Sequence, residues 1–244
     1  IISGEMPNLT SNDNDFFFMR RDNIQAPPTI SQLLSKRLPD AYGFSPLDDI
    51  QVLCPSRKGD CGTVNLNRLL QADVNPRHKT KSEINTPSGR IFREGDRVMQ
   101  TKNNYNIMWQ KDNDREFKKE LGNGIFNGEL GRIERINKEE KTVTVRFDDG
   151  KYAMYENTDL DQLEHAYSIT VHKSQGSEFD VVILIAAQTA PMLLTRNLIY
   201  TAMTRAKKLL IIIGPQSTVN YMIQNNTTRQ RNTGLRFKLE KIGE

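Results

Sequence analysis

The sequence predicts an α/β fold, a parallel sheet with flanking helices, split along the chain by a small antiparallel β barrel. Three observations carry this. Apolar runs of the fully buried strand type, IQVLC (50–54), DVVILIAA (180–187) and LLIIIG (209–214), alternate with segments of helical periodicity. Between about residues 91 and 164 the pattern becomes short period-two runs such as Val143, Val145 and Phe147, punctuated by the turn sequences NKEEK and DDGK. After His165 the strand–helix alternation resumes, so one α/β domain (1–90 and 165–244) holds an insert at 91–164.

In chain order, DFFFMRR reads as a short aromatic strand. PTISQLLSKRL reads as a helix with a Pro-Pro start, Thr29 as cap, and Ile30, Leu33 and Leu34 on one face. IQVLC is a strand and GTVNLNRLLQ a second amphipathic helix. FREGDRVMQTKN, GIFNGELGRIERIN, KTVTVRFDDG and KYAMYE supply about five barrel strands. The charged stretch NIMWQKDNDREFKKELGN between the first two is expected to be a mobile loop. AYSITV and DVVILIAA are strands. MLLTRNLIYTAMTRAKK is one helix with Leu194, Leu198 and Ala202 on one face, and STVNYMIQNN is the last helix. The tail TTRQRNTGLRFKLEKIGE is polar and basic, and is expected to be partly disordered.

Composition narrows the class. The chain is 36% apolar and 26% charged, and its longest apolar run, VVILIAA, is far short of the roughly 18 residues of a membrane span. IISGEMPNLTSNDND lacks the basic start and apolar stretch of a secretory signal and begins without Met, so the chain reads as a segment of a longer protein. Cys54 and Cys61 are too few for a disulfide framework or a zinc ribbon. A reducing, cytoplasmic setting with no membrane is expected. The net charge of +4 is uneven: 165–244 carries ten Lys/Arg against four Asp/Glu. That basic region permits a nucleic-acid partner without requiring one.

Two stretches carry chemistry. In TVHKSQGSEF (170–179), Thr170 is a candidate N-cap of a short helix whose exposed amides, with Thr170 and His172, would suit a backbone phosphate. Gly176 allows close backbone approach, and Glu178 is an acceptor suited to ribose hydroxyls. The same residues also fit a polar loop. In NLIYTAMTRAKK the apolar stripe is core packing, and Arg205 beside it is either a surface residue or a finger for a transferring phosphoryl group. The lone His78 and His165 read as surface or structural residues. Trp109 reads as packing or base stacking, Cys54 as inert core, and Asp48 and Asp49 as a turn rather than a metal pair. No metal-ligating set is expected.

In this order, HKSQGSEF and YTAMTRAKK resemble motifs V and VI of superfamily 1 helicases, in the wording of the RecD/TraA-like branch. IQVLCPSRKGDCGTVNLNRLLQ resembles that branch's motif IV, and DRVMQTKNNY followed by GIFNGELG its junction into an inserted SH3-like barrel. The resemblance runs from about Ile2 to Leu235. It implies the second RecA-like domain, of P-loop NTPase-like fold, of an ATP-dependent 5′-to-3′ DNA helicase similar to the exodeoxyribonuclease V alpha subunit. By the same resemblance, Arg57 and Arg205 contact the γ-phosphate from two sides. Gln175, Gly176 and Glu178 face the nucleotide, and Thr170 and His172 face single-stranded DNA. Asn104, Tyr105, Asn127 and Gly128 lie at the barrel junction as further DNA contacts. A G-x-x-x-x-G-K-[ST] loop is missing, RKGDCGTVN being only a look-alike, and no apolar strand ends in an acidic pair. ATP and Mg²⁺ are therefore expected to be held mainly by a RecA-like domain upstream of Ile1, leaving this chain alone without hydrolysis. Expected partners are a single strand or single/double-strand junction, that upstream domain, and possible nuclease-complex subunits. A conjugative relaxase carrying the same helicase core, and a non-enzymatic nucleic-acid-binding module, are the rival readings.

Overall fold

The computed structural model describes residues 1, 3–9, 15–113, 118–187 and 189–227. Its elements are β1 (Phe16–Met19), α1 (Ala26–Gln32), a π turn (Leu33–Arg37) leading into α2 (Leu38–Tyr42), β2 (Ile50–Cys54) and α3 (Thr63–Val74). A ribbon of β3 (Glu83–Asn85) and β4 (Ile91–Arg93) leads to β5 (Arg97–Gln100), β6 (Asn104–Asn113), β7 (Lys118–Ile125), β8 (Leu130–Asn137), β9 (Thr142–Phe147), β10 (Lys151–Tyr155) and β11 (Leu163–His165). The chain closes with β12 (Ser168–Thr170), β13 (Phe179–Ile185), α4 (Arg196–Met203), β14 (Ala206–Ile213) and α5 (Gln216–Gln224).

β1, β14, β13, β2 and β12 form, in that order, a five-stranded sheet, parallel at every pairing. Its strands read as continuous apolar runs because both faces are covered. Val52, Ile183 and Ile211 pack with Ile30, Leu34, Leu66 and Leu70 of α1, the π turn and α3 on one face. Leu53, Val182, Leu184 and Ile212 pack with Leu198, Ile199 and Ala202 of α4 and with Val219, Met222 and Ile223 of α5 on the other. No helix among the described residues is long and apolar enough to cross a membrane.

The insert is a seven-stranded antiparallel sheet in the order β11, β5, β8, β9, β10, β6, β7, around Val98, Ile125, Ile133, Val143, Val145, Tyr155 and Leu163. It has more strands than expected because, within NIMWQKDNDREFKKELGN, read as a mobile loop, residues 106–113 and 118–123 belong to the β6–β7 ribbon, with Trp109 opposite Gly122; residues 114–117 lie outside the described residues. The polar residues on both sides of the ribbon hide its period of two. A Cβ at Gly122 would overlap the Trp109 ring, and the Lys151 ammonium sits 5.5 Å from that ring's centroid. Gly122→Ala is expected to cost about 1–3 kcal/mol by overpacking. A thermal melt checks this, and an unchanged midpoint would remove Trp109 from the packing role.

Two helix boundaries differ from the expectation. Thr29 lies inside α1 and donates to Gln25 O (2.8 Å); Asp22 Oδ1 organises the entry by accepting from the amides of Ile24 (2.9 Å) and Gln25 (2.7 Å). The single helix expected over 192–208 is only α4. Pro191 opens a separate 3₁₀ turn, Thr195 caps α4 by accepting from Leu198 N (3.3 Å), and Ala206–Lys208 belong to β14. Residues 228–244, which include nearly all of the basic tail, lie outside the described residues.

Asp96, at the entry to β5, joins barrel and α/β domain. Its carboxylate is fully buried and accepts from Tyr167 Oη, Gln71 Nε2 and Asn75 Nδ2 (2.7 Å each) and from Arg93 N (2.8 Å), with His165 Nε2 at 3.2 Å. His165 is thus structural. Cys54 and Cys61 are both buried, and burial pushes both thiols up, Cys61 to about 11. Neither is expected to react with iodoacetamide at neutral pH until the chain is unfolded. Mass spectrometry before and after urea checks this, and modification in the native state would contradict the packing.

Candidate functional site

Residues 170–179 carry the chain from the carboxyl end of the parallel sheet back to its amino end. Thr170 closes β12 opposite Cys54, and Phe179 opens β13 opposite Ala206. Between them Val171–Ser174 make a single 3₁₀ turn, pinned by buried Val171 and by Ser174 Oγ donating to Val171 O (2.8 Å). Thr170 has extended backbone and its side chain caps nothing. The expected helix-start phosphate grip is therefore not built, since four residues provide no row of aligned free amides. Gly176 has φ +89°, with open space where a Cβ would stand. Any other residue would be strained there, and the backbone is accessible.

A cleft of about 660 Å³ separates this segment from the barrel. His172, Gln175, Gly176 and Glu178 line it from one side, Asn127 and Gly128 from the other. Lys173 Nζ reaches across to Asn127 Oδ1. The barrel turn is fixed by Gly128 N donating to Gln100 O (2.8 Å) and Asn127 N to Asn103 Oδ1 (2.9 Å). Two wall carboxylates are already engaged: Arg97 holds Asp148 through two bonds (2.5 and 2.6 Å), and Arg132 holds Asp48 (2.8 Å). Asp48 also accepts from Ser45 Oγ (2.7 Å), and Asp49 accepts from Ser45 N (2.7 Å), as a turn requires.

Arg205 stands between the end of α4 and β14, bonded to Ser177, which lines the cleft. Its guanidinium donates to Ser177 O (3.0 Å), Thr201 O (3.2 Å) and Thr204 Oγ1 (3.1 Å), and its carbonyl accepts from Phe179 N (2.8 Å). All these partners are neutral, so the positive charge is oriented without being cancelled. Glu178 lies 3.6 Å from Lys207 Nζ in an exposed pair of the kind that contributes little to stability. Nothing in the sequence alone marks Lys173, Ser177 or Lys207 as part of this site. Lys173 stands inside the quoted motif, but its cross-cleft partner is 46 positions away.

Other sequence candidates lie elsewhere. Arg57 follows β2 at the carboxyl end of the sheet, in the loop that enters α3, and pairs with Glu164 (2.7 Å). Val181 pairs with Ile50, so Cys54 stands two plus four residues above the level of Phe179 and Ala206. At the rise of a strand that is about 20 Å. α3 and α4 also pack on opposite faces of the sheet. Arg57 and Arg205 therefore start from opposite ends of the sheet. Asn104 is used in the barrel, its Nδ2 donating to Gln162 Oε1 (3.0 Å) and its Oδ1 accepting from Asn106 N (3.0 Å). Tyr105 is exposed, edge-on to Phe126 at 5.7 Å. In the RKGDCGTVN look-alike, the first amides of α3 are taken by carbonyls: Thr63 N donates to Ser56 O and Val64 N to Arg57 O (3.2 Å each). No phosphate cradle is left there. Among the described residues no group of three or more His, Cys, Asp or Glu could hold a metal ion.

Residues 66–147 match the SH3 domain of ATP-dependent RecD-like DNA helicases, and residues 165–213 match the UvrD-like helicase C-terminal domain. The chain thus pairs a RecD-like helicase SH3 domain with a UvrD-like helicase C-terminal domain. It is 37% identical over 194 residues to the ATP-dependent RecD2 DNA helicase of Deinococcus radiodurans, covering 79% of this chain and 23% of that protein. To the RecBCD enzyme subunit RecD of Mycolicibacterium smegmatis it is 28% identical over 197 residues, covering 81% of this chain and 30% of that protein. A Pif1 helicase from Bacteroides, in complex with ADP-AlF3 and single-stranded DNA, aligns with 88% of this chain and 49% of its own at 19% identity and a TM-score of 0.45. The chain spans less than a third of the length of the curated relatives it matches first.

Proposed function

We propose that the chain forms the second motor domain and barrel of an ATP-dependent DNA helicase that moves 5′ to 3′ along single-stranded DNA in the cytoplasm. The observation that carries this is the junction of Arg205 with the 170–178 segment, where a guanidinium with only neutral partners is held by Ser177 O beside the open backbone of Gly176. In this reading Arg205 stabilises charge on the transferring phosphoryl group. Gln175, Gly176 and Glu178 face the nucleotide, and ATP and Mg²⁺ are held mainly by a further RecA-like domain. His172, Asn127 and Gly128 face the strand across the cleft, with Thr170 and Tyr105 flanking it and Asn104 shaping the junction. Arg57 ties its loop to the strand that leaves the barrel. The higher identity to the RecD2 helicase than to the RecBCD subunit favours a RecD2-like enzyme over a nuclease-complex subunit.

The test is unwinding by the longer protein that carries this chain. With ATP and Mg²⁺ it is expected to open a duplex bearing a 5′ single-stranded tail and to leave a 3′-tailed one intact. If neither unwinding nor DNA-dependent ATP hydrolysis is seen, the reading falls and a non-enzymatic binding module takes its place.

A further inference from the structure

At the far side of the sheet from the barrel, β1 and β14 are parallel neighbours, yet the chain leaves them toward opposite faces. After β1 it enters α1, whose Ala26 and Ile30 pack on the face that carries Phe17 and Met19. After β14 it enters α5, whose Val219 and Met222 pack on the face that carries Leu210 and Ile212. Where neighbouring parallel strands send their connections to opposite faces, a crevice opens outside their carboxyl ends, and this is the recurrent ligand position of open α/β sheets. A crevice of about 650 Å³ lies there, lined by Arg20, Arg21, Asp22 and Gln25 after β1 and by Gln216, Ser217 and Asn220 after β14.

Its charge is the informative part. Arg20 Nη2 donates to Gln216 Oε1; Arg21 donates to Thr29 Oγ1 (3.2 Å) and Arg20 O (2.8 Å). Every one of these acceptors is neutral, and neither guanidinium is in a salt bridge among the described residues. The one carboxylate of the lining, Asp22, is held by the amides of Ile24 and Gln25 at Oδ1 and keeps its charge. The lining thus sets two adjacent guanidiniums against one carboxylate, a net positive charge in a concave site, beside neutral donors on Gln25, Gln216, Ser217 and Asn220. Planar forks of this kind match the oxygens of a phosphate.

We infer that this crevice is a phosphate-binding site, taking a backbone phosphate of a nucleic-acid strand or a phosphate of a free nucleotide. It stands apart from the candidate cleft and does not rest on the function proposed above. β1 and β12 are opposite edges of the sheet, and the crevice is at the carboxyl end whereas Arg205 is at the amino end.

The test is an NMR titration of the ¹⁵N-labelled chain with pyrophosphate and, separately, with a short oligothymidylate. The Nε–H signals of Arg20 and Arg21 and the amide of Ser217 are expected to shift saturably with at least one probe. A response to the oligonucleotide alone assigns the site to a strand, and a response to pyrophosphate alone to a free nucleotide. Arg20 is exposed, so Arg20→Ala should keep the wild-type circular dichroism. It should weaken binding about tenfold and, for the strand, lower the salt slope by about one. Arg21→Gln provides a second variant with the same expectation. Absence of a saturable shift with either probe, or unchanged affinity in both variants, overturns the inference. A longer protein without ATPase would overturn the proposed helicase function and leave this result standing.

Discussion

Arg205→Ala is expected to lower the strand-stimulated ATP turnover of the longer protein by about 10³–10⁵-fold, with little change in its affinity for single-stranded DNA. The guanidinium is held by Ser177 O and Thr201 O, so its orientation is set before substrate arrives and little reorganisation accompanies the reaction. Arg205→Lys should recover only a small part of the loss, because an ammonium cannot keep both carbonyl bonds and present a fork. Arg57→Ala, by contrast, should leave turnover near the wild-type rate, since Arg57 stands at the other end of the sheet and pairs with Glu164. Steady-state ATPase of the three variants with saturating oligonucleotide decides this. Near-normal turnover in Arg205→Ala, or equal losses in Arg205→Ala and Arg57→Ala, would contradict the placement of the phosphoryl group.

The second large effect concerns the joint between barrel and α/β domain. Asp96→Ala is expected to cost about 3–5 kcal/mol, the range for removing one member of a buried charged network. The variant would leave Gln71, Asn75 and Tyr167 with unpaired polar atoms on the α/β side. The same carboxylate gives a pH dependence. Burial acts to raise its pKa, but the hydrogen bond and charge of His165 and the bonds from Tyr167 and Asn75 outweigh that and hold it below the usual range. Asp96 therefore stabilises the fold fully above its unfolded pKa of about 3.9, and that contribution is lost as pH falls through the lower folded value. Urea melts of wild type and Asp96→Asn should differ most at neutral pH and converge in acid. A constant gap down to the acid limit would mean that folding leaves the Asp96 pKa unshifted.

The parallel sheet was legible because both of its faces are covered, so β2, β13 and β14 stand out as unbroken apolar runs. The barrel was legible through β9, where Val143, Val145 and Phe147 alternate with polar residues. The β6–β7 ribbon was not, because its Trp109–Gly122 pairing is a contact between strands and leaves no pattern along either one. Asp96 sits in EGDRV, which looks like an ordinary turn; its role depends on Tyr167, 71 positions away. Motif wording placed Arg57 and Arg205 in one role, but only the strand register reveals that they lie at opposite ends of the sheet. The helix expected after Thr170 failed for a local reason: Gln175 turns back to extended backbone after a single 3₁₀ turn, and Gly176 follows with positive φ.

In the proposed function the 170–178 segment couples a strand at His172 to a nucleotide at Gln175, Gly176 and Glu178. His172→Ala in the longer protein tests it most directly, with ATP hydrolysis measured with and without single-stranded DNA. His172 is exposed in the cleft, away from the bonds that hold Arg205. The expected result is an unchanged basal rate with most of the strand stimulation gone. Full stimulation in the variant, or an equal loss of basal and stimulated rates, would contradict the claim.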